Sequence, residues 1–307
     1  IEEESRVQQE AEKQLAAEKA AEEKAAEKAR QEQMEKTRMV LVRTLPVYQE
    51  KKIVKIKAGS DTDMLSYGDK VVLQEEDELY AAIQTENGQT GYVWKDCIGK
   101  LSDKNDQPGD LMQTEDQRKV VVIDVEELPQ KDTAVQEEVS LRTAARLEKK
   151  LKERGYVVVM SKRSAEHVIS NAKSAELANQ IQADAVVRIC AFDYQDQETD
   201  GTAVYCSAKD SRYPSARYAA ASKKLGKRIL KYYTKATGFD SAGVLESDDY
   251  IGIRRGKTPV VVLKLGNLSD ESEKSKMNKP KFQAKMARGI ADGVDAYFND
   301  NFALTAE

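Results

Sequence analysis

Apolar and polar positions change period along the 307-residue chain, and each change marks a separate stretch. Residues 1–38 carry almost no apolar pattern. They interleave Glu and Lys among alanines without Gly or Pro, and Leu15 and Met34 are the only large apolar residues between Gln14 and Lys36. This predicts a helical arm, but not the filled seam of a long coiled coil. Two readings stand: a solvated spacer, or a thin alanine-lined coiled coil giving weak self-association. Residues 39–101 switch to short strand-like runs, MVLVRTLPVY, VKIKA, YGDKVVLQ, LYAAIQTENGQTGYVW and CIGKL. Turn residues separate them, the strongest being Asn87-Gly88, a hairpin signal. Five short strands predict a small all-β barrel. Residues 102–118 are polar, contain Pro108-Gly109, and read as a linker.

From 119 to 300 buried-strand runs alternate with helical periods. Strands are expected at 119–124, 156–160, 185–191, 202–206 and 260–263. A helix over 135–154 places Ser140, Ala144, Leu147 and Leu151 on one face, with Gly155 ending it. Further helices are expected over 165–181 and 214–233, and a closing one carries Phe282, Met286, Ile290 and Val294. The alternation predicts an α/β domain: a mostly parallel, twisted sheet with helices on both faces.

Composition narrows the function classes. A formal net charge of -4 gives no support to nucleic-acid binding. No run of 18 apolar residues marks a transmembrane span. The chain begins at Ile1, as a processed form would, which leaves open a signal peptide or membrane anchor upstream. Cys97, Cys190 and Cys206 lie in no paired spacing and argue against a disulfide framework. The single histidine, His167, is read as an ordinary surface or half-buried residue at the start of a helix. Arg212 to Lys235 holds eight basic residues and no acidic one, either an anion-facing surface or a solvated helix face.

The order GDKVVLQEEDELYAAIQTENGQTGYVWKDCI resembles a bacterial Src-homology-3-like domain. Gly68-Asp69 precedes a strand, Tyr80 replaces the usual tryptophan, and Gly88, Gly91, Tyr92 and Val93 form the closing motif. The resemblance implies a wall-peptide binder or a spacer. Tyr67, Tyr80, Tyr92 and Trp94 either line a groove or pack the interior.

The segments KVVVID, EEVSLRTAARLEKKLKERGYVVVMSKR, AELANQIQADAVVRICA, GTAVY and IGIRRGKTPVVVLKLGNLSD together resemble the zinc-dependent N-acetylmuramoyl-L-alanine amidases over residues 119–298. That family cleaves the bond between muramic acid and the peptidoglycan stem peptide, with zinc held by two histidines and a glutamate and a second glutamate in catalysis. The chemistry needs neutral imidazole and carboxylate ligands, an open position for water, and a carboxylate to move the proton.

Carried over position by position, the resemblance implies a degenerate site. The first histidine falls on Glu127, the ligand glutamate on Gln136, the second histidine on Cys190 and the catalytic glutamate on Lys264. Glu127 and Cys190 are able to bind zinc, with Asp124, Glu126, Glu137 or Asp193 as further donors. Gln136 is a poor ligand, however, and Lys264 puts a positive charge beside the ion. The expectation is therefore no metal and no cofactor, with Lys264 paired to Glu127 or Asp124. Arg254 matches a family arginine beside the substrate groove and suits a stem-peptide carboxylate; Asp124 is expected to orient the loop after the first strand. Three functions remain: a catalytically inactive cell-envelope protein binding peptidoglycan or a wall protein, a scaffold without wall binding, and an amidase with a rearranged metal site.

Overall fold

The computed structural model describes residues 2–53, 63–100, 118–126, 134–192 and 201–305. The expected linker up to residue 117, the run VKIKA, Glu127 and Asp193 lie outside them. Helix α1 (Glu2–Lys36) follows from its helix formers. Leu15 and Met34 are both exposed on it.

The β module consists of β1 (Thr37–Val40), β2 (Thr44–Pro46), β3 (Met64–Ser66), β4 (Lys70–Glu76), β5 (Tyr80–Thr85), β6 (Thr90–Trp94) and β7 (Ile98–Lys100), with a 3-10 turn over Lys95–Cys97. Five strands make an antiparallel sheet in the order β6-β5-β4-β1-β7, and β2 and β3 form a separate ribbon. The predicted hairpin joins β5 to β6, with Gly88 at φ +81° where a side chain would be strained. Among the described residues the strand order ends on β6 and β7 and does not close into a ring.

The α/β portion runs β8 (Val120–Val125), α2 (Ala134–Glu153), β9 (Val157–Met160), α3 (Asn171–Gln180), β10 (Ala185–Phe192) and β11 (Thr202–Cys206). It continues with a 3-10 turn (Pro214–Tyr218), α4 (Ala219–Thr237), β12 (Ser241–Glu246), α5 (Ile251–Arg255), β13 (Val260–Asn267), α6 (Glu271–Met277) and α7 (Pro280–Thr305). The six strands are ordered β12-β11-β13-β10-β8-β9. β9, β8, β10 and β13 are parallel, whereas β11 pairs antiparallel to β13 and β12 follows β11. The sheet is therefore mixed, with one strand more than the pattern predicted. The helix expected from 165 begins at Asn171, because Ser170 caps it by accepting from Lys173 N. His167 consequently sits in the preceding turn, where its Nδ1 accepts from Ser164 N at 3.2 Å.

The two sheet faces bury different partners. One packs on α2, α4 and α7 through Val121, Ile123, Val187, Leu263 and Leu265 against Leu147, Ile229 and Ile290. The other presents Val120, Val122, Val159, Val186, Val260 and Val262 to a core shared with Leu177, Ile253 and the β module's Val42, Leu45 and Trp94. The module is thus joined to the sheet by a continuous apolar interior. Polar contacts fix it there: Trp94 Nε1 donates to Met160 O at 2.9 Å, Asp96 accepts from Met160 N at 3.0 Å, and Arg43 donates to Gln182 O at 2.6 Å.

Candidate functional site at the strand ends

Side chains alternate across a sheet, so the register decides which residues share a face. Arg188 lies beside Asp124 on β8 and Val262 on β13; two residues on, Cys190 lies beside Lys264. Glu126, just past β8, donates its N–H to Ile189 O at 3.2 Å and so reaches the same level as Cys190. Two rows result, near the carboxyl ends of the parallel strands, where open α/β sheets place their ligands.

The inner row is an ion pair. Arg188 Nη2 lies against Asp124 Oδ2, Ser161 Oγ donates to Asp124 Oδ1, and Arg188 Nη2 also donates to Asn171 O at 3.3 Å. Both charged side chains are almost completely buried, at 2% and 1% exposure. The contact is close without being well aligned. Asp124 Oδ2 and Arg188 Nε and Nη1 have no hydrogen-bond partner among the described residues. Gly252 of α5 makes room for the guanidinium, since a Cβ there would stand 2.5 Å from Arg188 Cζ. Of the two partners expected for Lys264, Asp124 is taken by Arg188, and Glu127 lies outside the described residues. Arginine claims the aspartate because it sits directly opposite in the ladder.

The outer row is Glu126, Cys190 and Lys264. Lys264 is 2% exposed and its Nζ stands 4.8 Å from the Tyr205 ring centre. Burial lowers its pKa, while the Cys190 and Glu126 charges work in the opposite direction. Burial raises Glu126, helped by Asp124 and opposed by Arg188, by a hydrogen bond with Cys190 and by Lys264. The Cys190 thiol is pushed well above the usual range by burial and then by Glu126. Each group is driven toward its neutral form.

The remaining expected residues scatter. Gln136 is half-buried in the first turn of α2, with its backbone carbonyl accepting from Ser140 Oγ at 2.8 Å; Ser140 Oγ accepts in turn from Ala191 N at 2.8 Å. Glu137 pairs with Lys162. Arg254 lies over the Tyr213 ring, 5.3 Å from its centre, and Arg212 is 5.2 Å from the same centre. In the module, Trp94 is fully buried and Tyr80 nearly so, meeting edge to face at 4.8 Å. Those two belong to the interior rather than to a groove, whereas Tyr92 is half-buried. Of the basic run on α4, Lys223 is bound to Glu246 at 2.6 Å.

Tested against zinc, this donor set does not fit. Among the described residues no three His, Cys, Asp or Glu side chains converge. Burial pushes the one described thiol at the strand ends toward its protonated form, and a lysine rather than a further ligand sits beside it. Sequence reasoning missed Arg188, although an arginine inside the run AVVRICA is itself a signal of a buried partner.

These features belong to a recognised class. The chain is a member of the N-acetylmuramoyl-L-alanine amidase family, whose model matches residues 130–296. Two curated relatives come from Bacillus subtilis (strain 168). The uncharacterized protein YqiI is 26% identical over 164 residues, covering 53% of this chain and 75% of YqiI. The N-acetylmuramoyl-L-alanine amidase LytC is 27% identical over 164 residues, covering 53% of this chain but only 31% of LytC. Among solved structures, the catalytic domain of CwlV, an N-acetylmuramoyl-L-alanine amidase from Bacillus (Paenibacillus) polymyxa var. colistinus, matches with a TM-score of 0.51 at 27% identity. That match covers 59% of this chain and 98% of the domain. Among the described residues no helix is long and apolar enough to cross a membrane.

Proposed function

We propose that this is a catalytically inactive, metal-free amidase-family protein of the cell envelope, which binds peptidoglycan or a wall protein through the inherited fold. The observation that carries the reading is Lys264, buried at the end of β13 beside Cys190. A lysine there supplies a cation where the family's chemistry needs a carboxylate to take a proton from metal-bound water. Among the described residues beside it, burial pushes Glu126 and Cys190 toward their protonated forms and Arg188 takes Asp124, which supports the loss of that carboxylate's role. The family membership and the named activity of LytC support an extracytoplasmic location. The β module is assigned as a Src-homology-3-like domain over 39–101, between a helical arm (1–38) and, past the linker, the amidase-like domain (119–300). Asp124 and Arg188 hold the first strand to the third, and Arg254 is the residue offered to a stem-peptide carboxylate.

The test combines three measurements on the full chain. Metal analysis should find no stoichiometric zinc, and digestion of purified peptidoglycan should release no stem peptide. Co-sedimentation with insoluble peptidoglycan should retain the protein, with less retained for Arg254→Ala. Bound zinc with peptide release would overturn the loss of catalysis. Absence of retention would leave the wall-protein half of the reading alone.

A further inference from the structure

Helices α4 and α7 pack side by side on the outside of the sheet, and glycine lets their backbones meet. A Cβ at Gly289 would stand 2.8 Å from Tyr233 Cα, and one at Gly293 only 2.4 Å from Ile229 Cα. Residues 289 and 293 meet 233 and 229 in reverse order, so the two helices run antiparallel.

Each helix carries cations opposite its buried stripe. On α4, Leu225, Ile229 and Tyr233 are buried. Lys227, Lys231 and Lys235 each follow one of them by two residues, about 200° round the helix. All three are exposed. On α7, Met286 and Ile290 are buried, whereas Lys281, Lys285 and Arg288 are exposed. The buried stripes of both helices enter one core on the same face of the sheet, so the cations share one outer surface.

Acids that could neutralise this surface are missing from it or engaged elsewhere. α4 contains no Asp or Glu, and α7 has none before Asp292. Asp292 and Asp295 hold Arg154 at 2.6 and 2.5 Å, and Glu246 holds Lys223 at 2.6 Å. Among the described residues none of the six cations has an ion pair, and Lys231 Nζ stands over the Tyr232 ring at 5.9 Å.

The surface also lacks what other partners need. A helix lying on lipid buries an apolar face, and a protein interface centres on a desolvated apolar or aromatic anchor. Among the described residues no exposed large apolar side chain lies on α4 or α7. Cations spaced about 6 Å apart along a helix suit instead a flexible chain with an anion on every repeat.

We propose that the α4–α7 surface binds a linear phosphate polymer of the cell wall. The polymer tracks the cations and is released by salt. Its source in the wall rests on the extracytoplasmic reading, but the surface is separate from the strand-end site and from Arg254, and it serves whether or not catalysis is lost.

The test co-sediments the full chain with cell walls that keep their phosphate polymers and with walls stripped of them by hydrofluoric acid. Retention should be greater on the intact walls, fall as salt rises and be competed by inorganic polyphosphate. Lys231→Glu with Lys235→Glu and Arg288→Glu should weaken polyphosphate binding about tenfold or more. Lys52→Glu with Lys209→Glu and Lys257→Glu, exposed cations outside α4 and α7, changes the net charge equally and should weaken it far less. Equal retention on the two walls or equal losses in the two triple variants would overturn the proposal. Stronger binding of poly-L-glutamate, or of phosphatidylglycerol vesicles, than of polyphosphate would overturn the phosphate polymer as the ligand. Retention on the stripped walls and its loss in Arg254→Ala report the stem-peptide reading, so either reading can fail without the other.

Discussion

Two rows of charge lie side by side on one face of the sheet and are handled in opposite ways. In the inner row Asp124 and Arg188 sit opposite each other in the ladder, both almost fully buried, and Ser161 helps hold the aspartate. In the outer row Glu126, Cys190 and Lys264 come together where the strands end, and each is pushed toward neutrality. The inner pair is a direct Asp–Arg contact in which each member compensates the other, so it is part of the fold. In the outer trio burial instead works against the charged form of every member.

The contrast breaks most sharply on removing one partner of the inner row. Asp124→Ala leaves Arg188 buried and uncompensated and should cost about 3–5 kcal/mol in urea denaturation. Lys264→Met removes a charge that burial already disfavours, and its loss in the same denaturation should be smaller than that of Asp124→Ala. Similar losses in the two variants would erase the distinction. Next in size, Gly252→Ala drives a Cβ into the Arg188 guanidinium and should cost about 1–3 kcal/mol by the same measurement.

A smaller loss should follow in the seam that covers this face. Trp94→Phe keeps much of the ring but leaves Met160 O without its donor, for about 1–2 kcal/mol. The smallest effect is one of pH. Because the folded pKa of Glu126 is raised, the folded state keeps that proton longer than the unfolded chain does, so stability falls as pH rises from the usual carboxylate range through the folded value. Glu126→Gln should therefore be more stable than the parent near pH ~7 and equal to it near pH ~3. A Glu126 variant with an unchanged stability–pH curve would move Glu126 out of the outer row.

Much of the fold was legible because long periodic segments report their own burial. Ser140, Ala144, Leu147 and Leu151 do share the buried face of α2, and the run Val260 to Leu263 is a buried strand. β12 was not legible: SAGVLE has no alternation and is only half covered, as an edge strand can be. Nor were α5 and α6, at five and seven residues too short to display a helical period. The reversed direction of β11 and β12 was hidden for a different reason. Apolar patterning encodes which face is buried, and a strand buried on both faces reads alike in either direction.

The strand-end site divides in the same way. Lys264 and Cys190 were visible as a charge and a thiol closing apolar runs, and the sheet does place them side by side. The partner of Asp124 was not visible, because Arg188 lies 64 positions away and only ladder register makes them neighbours. The sequence by itself determined the long periodic elements, the family resemblance and the sign of the charge at the end of β13, since these are local properties of residue type and order. Only the tertiary structure decided that Asp124 belongs to Arg188 and that Trp94 closes the seam between the module and the sheet. Pairing between distant residues is set by strand order, direction and register, which no local pattern carries.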